Sequence, residues 1–271
     1  MAIDLKIAAD TVALSGELIK AAGDSPEAKE AARNLGKTAL TVTKTINNAL
    51  LPLAAVNFAF DKARIYFDEK FQKDITEKAA SIPFDNLIEP KASVAGPALQ
   101  GLAFSHDESN LKEMYLSLLT TAMDKRIATE AHPAFVEIIK QITSEEAELI
   151  SDIFKSHTSH PIVELRLSST SDRGWHVIKT HVMNDRDLAS NSPIENPRLS
   201  AMVHNLIRLG LLNVDYSKFL TGENSYSWVE ERPEMLRLRN KHDNETTKII
   251  FERGTLAMTD LGVQFAKAVG L

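Results

Sequence analysis

A chain of 271 residues, 44% hydrophobic and 25% charged, is long enough for one large or two ordinary domains and has the composition of a folded, soluble protein with a sizeable core. Residues 1–160 carry 17 basic against 23 acidic side chains and residues 161–271 carry 14 of each, so neither part has the basic excess of a nonspecific nucleic-acid binder. The lack of cysteine excludes disulfides, thiol nucleophiles and thiolate metal sites, which fits a reducing cytoplasm.

The start, MAIDLKIAAD, places Asp4 and Asp10 where an export signal would carry a basic and then an apolar segment, so a cytoplasmic location is expected. A helix is predicted over 3–22, weakened by Gly16. GDSP at 23–26 breaks it, with Ser25 as N-cap and Pro26 at the next first turn. The second helix runs to about Leu51, where Pro52 ends or kinks it. Leu35, Ala39, Val42, Ile46, Ala49 and Leu53 recur at steps of three and four, with Lys37, Thr41, Lys44 and Asn48 opposite. Residues 45–60 carry no charge, yet sixteen helical residues span roughly 24 Å, short of the ~30 Å hydrocarbon layer. The polar face marks a helix packed on protein; its alternative is an amphipathic helix that lies on a bilayer or inserts when triggered.

Phe60, Ala63, Phe67, Phe71 and Ile75 repeat at helical steps and predict one continuous third helix. Residues 81–97 carry three prolines and read as a connector, after which Pro97 opens a short helix and Ser109 or Asn110 starts another through LKEMYLSLLTTAMDK. In AHPAFVEIIKQITSEEAELI, Pro133 suits a first turn after His132, and Phe135, Ile138, Ile139 and Ile142 form an apolar stripe. Thr143 and Glu146 have capping-box spacing, so the polar residues here cap helices and do not assemble a catalytic site.

From residue 160 the texture changes. IVELRLSS and WHVIKTHV alternate as strands do, with Asp172, Arg173 and Gly174 between them as a turn. Pro197 starts a helix with Leu199, Val203 and Leu206 inward, Gly210 caps its end, and LLNV follows as a strand. TTKIIFERGTLAMT reads as two short strands around Arg253-Gly254, and Thr259 caps a last helix. The expected fold is therefore mostly α, α+β overall: a helical domain with amphipathic helices over 1–142, then a winged-helix-like α+β domain over 143–271 with an insertion at about 217–245.

AVNFAFDKARIYF, AGPALQGLAFSHD, LKEMYLSLLTTAMDK and HPAFVEIIKQ, followed by LIRLGLL and GTLAMTDLGVQFAKA, resemble the abortive-infection alpha family of bacterial phage-resistance proteins. The likeness is strongest over 50–145 and collinear to the end of the chain. It implies a cytoplasmic role in phage defence and carries over no catalytic residues.

No catalytic, cofactor or metal site is assigned from the residues themselves. His106-Asp107 lacks the further ligands that metal-dependent hydrolysis needs, and reads with Ser105 and Ser109 as turn or cap residues. His157 and His160 would need His176 and His181 as further zinc ligands, and those two lie five apart in a strand, on opposite faces. No phosphate-cradling loop or G-x-S-x-G elbow is present. On the helix after Pro197, Arg198, Asn205 and Arg208 share a face, with Arg253 expected at a wing tip; together they are candidates for nucleic-acid or partner contact. Trp175 and Trp228 are read as packing residues. The expected function is non-enzymatic phage defence through contacts with a protein partner, phage-encoded or a second copy of the chain. A winged-helix DNA-binding regulator and a membrane-perturbing effector using residues 35–60 are the alternatives.

Overall fold

The structure, a computed structural model, describes residues 60–156, 158–171, 174–187 and 189–271. The two helices expected before residue 52, and the amphipathic segment 35–60 apart from Phe60, lie outside the described residues. The chain divides into two compact units, one running through Glu148 and including Phe265–Leu271, the other Leu149–Gln264.

The first unit is helical: α1 Phe60–Glu69, α2 Phe71–Ala79, α3 Ala92–Ser105, α4 Ser109–Met123, α5 Pro133–Ile139 and the start of α6, Ser144–Ser156. The expected single helix through Ile75 is interrupted at Lys70, whose φ of −120° and ψ of −38° leave the helical region, yet Ala63, Phe67, Phe71 and Ile75 all remain buried. Pro97 does not open α3 but sits inside it, where the missing N–H and the ring cost one ladder bond. The hairpin of α3 and α4 closes at Gly101, where a Cβ would stand 2.3 Å from the Tyr115 hydroxyl. Only glycine lets these helices approach so nearly. Phe135 of α5 meets Phe265 edge-on at 5.6 Å, and Thr121 Oγ1 donates to the Ala268 carbonyl at 2.9 Å, so the last residues are built into this core.

The caps expected around Pro133 and Thr143 are present. His132 is the N-cap of α5, its Nδ1 accepting from the Ala134 amide at 3.1 Å. The Glu146 amide donates to Thr143 Oγ1 at 3.2 Å and the Thr143 amide to Glu146 Oε2 at 2.7 Å, a complete capping box for α6.

The second unit is α+β. Strands β1 His160–Ser169, β2 Trp175–Val182, β3 Leu212–Asp215 and β4 Thr247–Met258 form an antiparallel sheet of order β2-β1-β4-β3. Helix α7, Leu199–Arg208, precedes β3; α8, Pro233–His242, lies in the expected insertion; α9, Asp260–Ala268, ends the chain. Pro197 and Arg198 stand just outside α7. Gly210 ends α7 at φ 75°, with its N–H on Ile207 O and that of Leu211 on Leu206 O. Thr259 Oγ1 accepts the Gly262 amide at 2.9 Å at the start of α9.

No hairpin bends at Arg253-Gly254. One strand of twelve residues runs through them, with Arg253 opposite Val163 and Gly254 opposite Ile162. The glycine serves close packing, not a turn. The insertion forms a short 3₁₀ turn, Ser227–Glu231, and α8, and it completes a core in which Tyr226, Trp228, Val229 and Met235 cover Val163, Leu165, Val182 and Ile249 on one face of the sheet. A segment that looked like surplus loop therefore closes that face of the sheet.

Candidate functional site

The other face of the sheet carries a connected group of titratable side chains. In antiparallel strands residues opposite one another share a face and alternate residues along a strand share it too. Glu164 pairs with Glu252, and Arg166 lies two residues along from Glu164. Arg166 bridges both acids, its Nε donating to Glu164 Oε1 at 2.6 Å and Nη1 to Glu252 Oε2 at 2.5 Å. Glu164 is buried, a charge tolerated in a strand centre because the guanidinium meets it directly.

Two imidazoles and a phenol stand on the same face. The β1–β2 register shifts between Val163 and Leu165, so Thr180 and His181 of β2 oppose Glu164 alone of β1, and His181 in this bulge adopts φ 55°, left-handed for a non-glycine residue. Its amide donates to the Tyr216 hydroxyl at 3.2 Å, its Nδ1 is 3.0 Å from the same oxygen, and its ring lies 4.3 Å from that of His204 on α7. His181 Nε2 is buried with no hydrogen-bond partner. Burial, and then the neighbouring His204, hold its pKa down to about 4; burial raises that of Tyr216 to about 12. At neutral pH both are uncharged.

The opposite end of this face is open. Trp175, read as a packing residue, packs on the Arg166 guanidinium at 3.7 Å and is half exposed: it begins the edge strand β2, where nothing described covers it. Trp228 does pack as expected, buried with Nε1 donating to the Ser225 carbonyl.

A family model described as abortive infection alpha matches residues 63–269. The chain belongs to the abortive infection alpha family. Membership implies a role in phage defence. Among curated proteins none matches this Abi-alpha chain. It is similar, at 16% identity and a TM-score of 0.35, to the solved structure of an uncharacterized protein from the hydrocarbon-degrading marine bacterium Alcanivorax borkumensis SK2, over 54% of this chain and 96% of that one. That likeness is too slight to bear on fold or function.

The residues singled out from the sequence of this Abi-alpha protein fall in two places. Arg198 is the N-cap of α7, and Asn205 and Arg208 lie on that helix, with Arg208 Nε and Nη2 donating to Asn205 Oδ1 at 3.1 and 2.7 Å. Arg253, expected at a wing tip, lies instead mid-strand on the face of Val163, its guanidinium 4.0 Å from the Phe219 ring. The sheet separates it from α7.

His106 ends α3 with Nδ1 bonded to the Ala103 carbonyl at 3.1 Å and its ring stacked on Tyr66, while Asp107 faces Lys62 at 3.6 Å. His160 Nε2 bonds Ser156 Oγ at 2.6 Å, His176 is exposed, and His157 lies outside the described residues. Among the described residues no three His, Asp or Glu side chains gather to hold a metal ion, and no helix is long and apolar enough to cross a membrane. Reading by sequence missed Glu164, His204 and Tyr216 as neighbours of His181. The charged residue at the centre of the apolar run IVELRL was the available signal.

Proposed function

We propose that this Abi-alpha protein limits phage without catalysing a reaction, by receiving a protein partner on the open end of its sheet. The strip formed by Trp175, Val177 and Ile250 around Arg166 carries the reading. Arg166 is opposite Val177 on one side and Ile250 on the other, with Ser168 opposite Trp175, so all share a face. The three apolar side chains are 52%, 39% and 40% exposed. Trp and Arg already held in place lose little freedom on binding, and such residues carry much of the energy of protein interfaces.

The partner is a phage-encoded protein or a second copy of the chain. The test pairs a plaque assay with capture of partners from infected cells, using Trp175→Ala/Ile250→Ser. These exposed substitutions should leave the chain folded while protection and capture are both lost; full protection by the folded variant overturns the reading.

The winged-helix-like reading of residues 143–271, and the DNA-binding alternative that goes with it, rests on the order α7, β3, β4 and on the arginines of α7. Retention of DNA that weakens steeply with salt and with Arg198→Ala would favour it instead. The membrane alternative stands or falls on leakage of liposomes by the intact chain.

A further inference from the structure

We propose that His181 and His204 form a binding site for a borderline transition-metal ion, Cu²⁺ binding most tightly. The inference is independent of the partner surface above. His204 Nδ1 lies 2.8 Å from the Ser200 carbonyl oxygen. A carbonyl only accepts, so Nδ1 carries the proton and Nε2 presents its lone pair. His181 Nδ1 lies 3.0 Å from the Tyr216 hydroxyl, which accepts when the ring proton sits on Nδ1; in that tautomer the buried Nε2, which has no partner, presents its lone pair. Metal-ligating imidazoles are held in this manner, one ring nitrogen anchored by a fixed group and the other left for the ion.

The spacing fits. With metal–nitrogen bonds of roughly 2.0–2.1 Å, each ring centre stands about 3.2 Å from the ion, and two rings at right angles around it have centres about 4.5 Å apart. The observed separation is 4.3 Å. The backbone supplies a second, separate observation. His181 takes a left-handed φ of 55° within a bulge, a conformation strained in a non-glycine residue that clusters where a side chain is aimed for use.

No third imidazole or carboxylate among the described residues joins the pair, so water completes the coordination and the ion stays open to a further ligand. Nitrogen donors without thiolate place the metals in the order of divalent affinity that peaks at copper, with zinc weaker.

The experiment uses the full chain without an affinity tag, titrated with Cu²⁺ by calorimetry and followed by electron paramagnetic resonance. One saturable ion per chain is expected, with couplings from two imidazole nitrogens and a rise in Tm on loading. His204 is exposed on its helix, so His204→Ala should keep the fold, checked by circular dichroism, and lose the two-nitrogen signature with at least roughly tenfold weaker binding. His181→Asn, which tolerates the left-handed backbone, should do the same, while His176→Ala binds as the parent does. Parent-like copper binding by folded His204→Ala, or no saturable binding by the parent, overturns the proposal.

Discussion

The ring of Tyr216 lies across Gly254 so closely that a Cβ on the glycine would stand 2.5 Å from Cδ1 and 3.0 Å from Cε1. The contact places the phenol beside the bulge of β2, where its hydroxyl receives the His181 amide. Gly254 has no positive φ to require it. Its small size is the requirement.

Gly254→Ala should therefore destabilise the protein by about 1–3 kcal/mol, the usual range for forcing extra volume into a packed site. Urea unfolding measures this. In a Tyr216→Ala background the same substitution should cost clearly less, because the atom it strikes is gone; equal costs in both backgrounds would mean that another contact, such as the Asp215 carbonyl 3.2 Å away, dictates the glycine.

Arg232 is 1% exposed and tied on three sides: Nη1 to the Asp185 carbonyl at 2.5 Å, Nη2 to the Ile194 carbonyl at 2.5 Å, and Nε and Nη2 to Glu234 Oε1 at 3.2 and 3.0 Å. It latches the segment 185–194 to the start of α8. Arg232→Met leaves Glu234 buried and unpaired, and should cost about 3–5 kcal/mol in urea unfolding. Replacing both residues by Met removes the stranded charge and should recover part of that loss. A double variant as unstable as the single one would show that the two carbonyl bonds matter more than the ion pair.

Glu195 takes hydrogen bonds from Arg237 and from Lys179 Nζ, the latter at 2.6 Å, and Arg237 first and then Lys179 hold its pKa down to about 2. The folded chain thus resists protonating a carboxylate that the unfolded chain protonates more readily. Its stabilising contribution is full above the unfolded pKa of about 4.5 and is lost as pH falls toward 2. Arg237→Ala should raise the folded pKa and flatten the dependence of stability on pH between about 4.5 and 2, read from urea midpoints across that range. An unchanged slope would remove Glu195 from the acid limb.

Much of the fold was legible along the chain. His132, Thr143 with Glu146, Gly210 and Thr259 act as caps within three residues of the groups they serve, so local spacing was enough to find them. Strands β1 and β2 announced themselves by alternation. The break at Lys70 was not legible, because the same apolar stripe continues through it.

The sequence by itself determined the helical caps, the strand periods, the family and the lack of any cysteine chemistry, all properties carried by near neighbours or by composition. Only the tertiary structure decided that Arg253 and Gly254 lie within one strand, that the insertion completes the core and that His181 meets His204 and Tyr216. Each of these depends on side chains tens of residues apart, whose meeting is set by sheet register and by volume. A one-residue bulge in β2 or a missing Cβ in β4 changes which face a group occupies, and neither effect leaves a periodic mark in the chain.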